Sequence, residues 1–435
     1  MNVSNIVRPT ALLLIILAYV FFVLRLFFFI AQHSENLLFW DEWDTVDSVI
    51  YQNDIGKLFR YQENEHRIGT GLILIKLLAQ STRWNTVVEV YGIGILLCIV
   101  TIISLFLKAR IFGGLNYFDV IIPTIFLNTF QIENLLQGFQ LTFILPLVFF
   151  LISLFILTLT ESRTKRLVLL FMTLLSAYAS FHGLFIGFIV GLYYALLVIK
   201  NGKISPGYGF VIVGVLAIIA SYFINFNFQV SFFRLPSAWL VIPAYMANQI
   251  NSFLGLWSEG IYRWIILVVS IICFMFLLKL MISRKMSFRK LFVILALFLY
   301  SFWFGISTAF GRWHFGVEQA HNTRYVTHMV PLFFGMYLTL QLIRNVFIRR
   351  TILLTYICVV IYFTQHDQWR VQYEADQYKQ GISMWRNCYL QEKDAVACNR
   401  LIEFRIFPED RINFLQEKLN ELEEKKLNLF AYEVK

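Results

Sequence analysis

The sequence predicts an all-α polytopic membrane protein. Three observations carry this. The 435 residues are 58% apolar and 15% charged, with a mean hydropathy of +0.66, a composition that soluble domains do not have. Windows of roughly 15–24 apolar residues, the length that crosses a bilayer, recur along most of the chain. Basic residues return at every second loop, as the positive-inside bias requires.

Eleven spans follow, near 9–32, 86–107, 118–132, 141–160, 167–181, 183–199, 208–225, 259–282, 290–310, 325–345 and 351–364. The first is too long for a removable signal peptide and lacks a small-residue cleavage site, so it reads as an uncleaved anchor. Segment 68–82 is short and carries Lys76, which suits an interfacial helix. The loops assigned to the cytoplasm hold sixteen of the 37 basic residues, from Arg8 through Lys108, Arg163, Lys200 and Arg289 to Arg350. The amino terminus is therefore expected inside, and the tail outside. This orientation accounts for most of the net charge of +10, leaving no reason to invoke nucleic acid.

The outward loops carry the polar chemistry. Residues 33–67 are long and acidic, and Val46, Ile50 and Leu58 after Trp43 could lie on the membrane surface. A short amide-rich turn holds Gln131, Glu133, Asn134, Gln137 and Gln140. Residues 226–258 hold Arg234, Pro236, Trp239, Asn248, Asn251 and Trp257. Residues 311–324 hold Arg312, His314, Glu318, His321, Asn322 and Arg324. All ten tryptophans fall in outer loops, outer half-spans or the tail. A membrane belt should populate both faces, so platforms for sugar rings explain this asymmetry better.

Composition shifts near Thr364, dividing a membrane region, 1–364, from a small helical tail, 365–435. In the tail, Pro408 and Glu409 open a helical pattern. Ile412, Leu415, Leu419 and Leu422 then form one apolar stripe, which docks on its own domain or on a partner. Cys98, Cys273 and Cys358 sit in spans. Cys388 and Cys398, ten residues apart, form either a disulfide or two free thiols.

Attaching a sugar outside the inner membrane calls for a donor carried on a lipid, naturally a polyprenyl-phosphate sugar. The reaction then needs a carboxylate base for the acceptor hydroxyl and cations for the departing phosphate. Asp41, Glu42 and Asp44 on one loop, with Arg312 and Arg324 on another, offer both at the same face. A first span followed by an acidic outer loop and an interfacial helix resembles the GT-C fold of membrane glycosyltransferases. More closely, the Asp41-Glu42-Trp43 run, Asn64-Glu65-His66-Arg67, Gln137-Gly138-Phe139-Gln140, and Gly311-Arg312 followed by Arg324-Tyr325 resemble bacterial and prophage glucosyltransferases that decorate O-antigen. The resemblance covers the whole chain. It implies a GT-C-like bundle in the bacterial inner membrane with a periplasmic tail. The implied enzyme is inverting, taking glucose or another hexose from a polyprenyl phosphate to a lipid-linked or lipopolysaccharide glycan. A polyprenyl-phosphate glucosyl synthase and a flippase would act upstream.

By that resemblance Asp41 is the first choice for the general base, because GT-C enzymes use an acid at this place. Asp44 is second, and Glu42 could orient either. The alternative is a solvated loop in which Asp44 caps a helix. Glu65, His66, Arg67, Gln137, Gln140 and Trp43 are substrate-binding candidates, with a structural salt-bridge network as the competing account of 65–67. Arg312 and Arg324 suit phosphate through their forked donors, flanked by His321 and Tyr325; snorkelling at the interface is their alternative. Arg25, inside the first span, is a candidate because intramembrane charge is costly. His182 lines the cavity or is a satisfied structural histidine. No cofactor is expected. A divalent cation on residues 41–44 is conceivable but not favoured for a monophosphate donor. The rivals are a polysaccharide polymerase and a non-enzymatic lipid or sugar transporter.

Overall fold

The structure, a computed structural model, describes residues 9–203, 205–228, 239–256, 262–284 and 286–431. Arg8, Arg234, Pro236 and Trp257, singled out above, lie outside them. The described residues are mostly helical. Among them, eight helices are long and apolar enough to cross a membrane. In chain order they include α1 (Pro9–His33), α5 (Thr86–Phe112), α8 (Leu141–Leu157), α10 (Leu184–Asn201), α11 (Pro206–Phe223), α13 (Tyr262–Ile282), α14 (Phe288–Arg312) and α16 (Val346–His366).

The other three expected spans are shorter helices. Two are regular: α9 (Arg163–Ala177) and α15 (Val326–Leu340). The third, 118–132, is broken. It contains only α6 (Ile121–Phe126), after which Asn128 turns its side-chain oxygen onto the Phe130 N–H at 3.0 Å and Gln131 Nε2 donates to the Asn128 carbonyl at 2.8 Å. Such local side-chain bonds offer the backbone an alternative to helix. The short α7 (Ile132–Leu136) follows.

α5 packs on α8, and α14 on α15. In α15 every residue from Val326 to Thr339 is buried, so it faces protein all round rather than lipid. One end of the bundle gathers the basic loops, where Lys108 meets Asp119 at 2.6 Å and Arg289 donates to the Thr158 carbonyl at 3.0 Å. The other end carries the acidic loop.

That loop is folded, not draped. After α1 a 3₁₀ turn spans Trp40–Thr45, followed by α2 (Val46–Tyr51), α3 (Ile55–Phe59) and α4 (Gly69–Thr82). Asp54 caps α3 through the Gly56 and Lys57 N–H groups. Val46 and Leu58, expected on the membrane surface, are instead buried, because α2 and α3 turn them against α4. Between α3 and α4 a two-strand hairpin pairs β1 (Gln62–Glu63) with β2 (His66–Arg67). Asn64 takes the left-handed conformation at its turn (φ 49°), which asparagine tolerates best after glycine.

The tail continues directly from α16 into α17 (Gln368–Glu392), then α18 (Ala395–Leu401) and α19 (Ile412–Lys425). The composition boundary at 364 therefore falls inside one helical run. Cys388 and Cys398 are joined in a disulfide between α17 and α18. In α19, Leu415, Leu419 and Leu422 are buried, and the apolar stripe faces the protein itself. α12 (Val241–Ser252) stands between α11 and α13 in the chain.

Candidate functional site

A cavity of about 460 Å³ opens at the acidic end. Six segments build its wall. The 3₁₀ turn brings Asp41; the hairpin brings Glu63, Glu65 and His66; the turn before α8 brings Gln140; the 3₁₀ turn Phe181–Gly183 brings His182. Along α14, Phe304, Thr308, Gly311 and Arg312 share one face, and Arg324, Tyr325 and His328 close the far side. Spacing of three and four residues puts the α14 set on that one face. Glu63 and His66 are opposite one another in the hairpin, so both point the same way.

Charge is divided across the space. Burial pushes the Asp41 carboxyl up, Arg324 pulls it back, Asp44 adds to the rise and Arg312 opposes it. Glu63 is pushed up to about 7, first by burial, although the Tyr61 hydroxyl donates to it at 2.9 Å. His66 is driven down to about 4 by burial, with Arg312 and Arg324 adding to this and Glu65 opposing it. It therefore stands neutral, accepting at Nδ1 from the Phe181 N–H at 3.3 Å. Arg324 Nε lies 3.9 Å from Glu133, an ion contact longer than a hydrogen bond. Two buried wall atoms, Gln140 Oε1 and Thr308 Oγ1, have no hydrogen-bond partner among the described residues.

Other candidates sit elsewhere. Glu42 is buried behind the turn, accepting the Phe39 N–H at 2.8 Å and the Phe139 N–H at 2.6 Å. Trp43 is fully buried in the core and forms no part of the wall, which corrects its reading as a substrate platform. Arg67 is a scaffold residue: its guanidinium donates to the Tyr222 carbonyl at 2.7 Å, the Ile224 carbonyl at 2.6 Å and the Arg60 carbonyl. Gln137 accepts from Gln140 at 3.3 Å and stays outside the lining. Asp44 points away, into a fork with Arg411 of the tail. Arg25 reaches Gln365 at 2.5 Å and Thr129 at 3.0 Å, joining α1 to α16. His321 belongs to a second, more open hollow with Glu133, Glu318, Glu374 and Tyr378; burial drives it down to about 4, and it meets Ser252 at 3.2 Å.

Sequence reasoning passed over Glu63, Thr308, His328 and Glu89. Glu63 had a signal, since it directly precedes the Asn64-Glu65-His66-Arg67 run singled out from the sequence. Glu89 had one too: it is an acid inside the expected span 86–107, the same costly intramembrane charge that marked Arg25, and it is 1% exposed in α5. A Cβ on Gly138 would lie 2.2 Å from Glu89 and 3.0 Å from Glu42. Only glycine lets the two carboxyls converge there. Among the described residues, no three His, Cys, Asp or Glu side chains gather so as to hold a metal ion.

No family model, no curated protein and no solved structure matches this chain.

Proposed function

We propose that the chain is a membrane glycosyltransferase of the GT-C kind, transferring a hexosyl group from a polyprenyl-phosphate donor to a glycan hydroxyl at the membrane face bearing the acidic loop. One observation carries the reading: Asp41 shares a single cavity with Arg312 and Arg324, and Gln140, His66 and Thr308 belong to the same wall. Asp41 takes the proton of the acceptor hydroxyl as that oxygen attacks the anomeric carbon. The bond from that carbon to the phosphate oxygen breaks, and the polyprenyl phosphate leaves with the electron pair. A raised carboxyl pKa suits such a base. The two guanidiniums hold the charge that grows on the phosphate. Gln140, Thr308 and neutral His66 offer partners for sugar hydroxyls. Exposed Trp303 and Ile306 on the α14 wall give an apolar flank beside which a lipid chain can lie. A single displacement inverts the anomeric centre. By the sequence resemblance the hexose is glucose, the acceptor is lipopolysaccharide and the membrane is a bacterial inner membrane.

The test is transfer of labelled glucose from synthetic polyprenyl-phosphate glucose into lipopolysaccharide by membranes carrying the protein. Asp41→Asn is expected to lower transfer about 10²–10⁴-fold, the usual weight of general-base catalysis. Arg312→Ala and Arg324→Ala should raise the KM for donor more than that for acceptor. Full activity in Asp41→Asn sinks the assignment of the base. No transfer by the wild type with any hexosyl donor sinks the reaction.

A further inference from the structure

The acidic turn is held from behind by the tail. The Trp40 N–H donates to the Ile406 carbonyl at 2.9 Å, with Trp40 in the left-handed region (φ 50°), which a bulky residue enters only when its surroundings hold it there. Four residues on, the Arg411 guanidinium grips Asp44 with both terminal nitrogens, at 2.5 and 3.1 Å. That guanidinium is itself fixed, 4.8 Å from the ring centres of both Phe407 and Phe414. Lys418 of α19 then reaches Asp47 at 2.7 Å. An isolated surface pair has little effect, but a bidentate fork held between two rings is preorganised.

We infer that Arg411 is a positioning residue of the active site: by neutralising Asp44 and fixing the turn, it leaves Asp41 as the carboxylate of Trp40–Thr45 that takes the proton. The inference rests on the base role proposed for Asp41. Several groups face the pair. Asp410 and Glu63 lie near Arg411, Glu63 also faces Asp44 and Asp41, the Tyr61 hydroxyl that donates to Glu63 lies 3.3 Å from the Asp44 carbonyl, and Asp41 itself faces Arg324, Arg312, Glu42 and Glu133. Without Arg411, Asp44 stands beside Asp41 as an uncompensated negative charge and makes Asp41 hold its proton more tightly. The base works only when unprotonated, so the acid limb of kcat/KM moves to higher pH.

Arg411→Gln is expected to shift that limb upward by on the order of half to one pH unit, a few-fold loss at fixed pH below it. Adding Asp44→Asn removes the charge that Arg411 had balanced, and the limb should return. Arg411→Lys keeps the charge and should keep the limb, which guards against a Gln variant that misfolds. A purely structural arginine would lower kcat without moving the limb, and Asp44→Asn would not rescue it. Infrared titration reads the same quantity without turnover, following the carboxyl band that disappears in Asp41→Asn. It therefore tests the clamp even if the transferase reading fails. An unshifted limb and band in Arg411→Gln, or a shift that Asp44→Asn leaves in place, overturns the inference.

Discussion

Glu42 is the acid of the first loop that faces inward, and its role follows from what it touches. Its two oxygens accept the Phe39 and Phe139 N–H groups and so tie the acidic turn to the turn that carries Gln140. Glu42→Ala leaves two buried donors without partners, at about 1–3 kcal/mol each, whereas Glu42→Gln keeps one acceptor oxygen. Burial pushes Glu42 up to about 7 from an ordinary value of 4.5. The folded protein thus binds this proton more tightly than the unfolded chain. The stability involved is complete below about pH 4.5 and is lost as pH rises through about 7. In Glu42→Gln the unfolding temperature in detergent should fall less steeply over that interval than in wild type; an identical slope would mean Glu42 does not carry the proton. At this scale the sequence was only half legible. Asp41, Glu42, Trp43 and Asp44 are consecutive and chemically suggestive, yet a 3₁₀ turn sends them in different directions: to the cavity, to a backbone latch, to the core and to Arg411. Direction depends on local backbone geometry, and the composition of the run does not contain it. Arg67 and Arg312 show the same limit, since one guanidinium is spent on carbonyls and the other lines the cavity.

Long helices were legible because a bilayer demands a run of apolar residues whatever the tertiary contacts. What the pattern hid are elements whose course depends on neighbours. The break after α6 comes from amide side chains bonding their own backbone, and α2 and α3 bury Val46 and Leu58 because α4 lies beneath them. Close approaches are hidden in the same way. A Cβ on Gly183 would stand 1.8 Å from the Ser176 carbonyl oxygen, at the crossing that sets His182 into the cavity. Backbone cannot yield as a side-chain tip can, so Gly183→Ala should destabilise by at least about 2–3 kcal/mol and lower the yield of folded protein. Gly92, with nothing within 4 Å of its notional Cβ, is the control: Gly92→Ala in α5 should be neutral or raise stability by about 0.5–1 kcal/mol. Equal thermal unfolding of the two variants would refute the packing at Gly183.

Across the whole molecule the tail and the first loop act on one another at several points. α17 runs beside the end of α1, where Arg386 meets Glu35 at 3.7 Å and Lys379 donates to the Gln32 carbonyl at 2.6 Å. The far end of the tail is fastened by Asn428, buried and left-handed (φ 53°). Its N–H donates to the Arg83 carbonyl at 2.8 Å, and its amide donates to the Trp84 carbonyl at 2.9 Å and to Asn36 at 3.0 Å. Asn36 in turn accepts the Thr86 N–H at 3.0 Å. One residue near the end of the chain thus connects the exit of α1, the turn before α5 and the tail. Asn428→Ala loses the side-chain bonds and places alanine where asparagine is tolerated far better, for a loss of about 2–4 kcal/mol. If tail and loop form one cooperative unit, amide hydrogen exchange should rise together in 395–431 and in 34–51 while α14 and α15 keep their protection. Faster exchange confined to the tail would mean that the acidic loop holds its shape without it, and Arg411 would then have no structure to impose on Asp44.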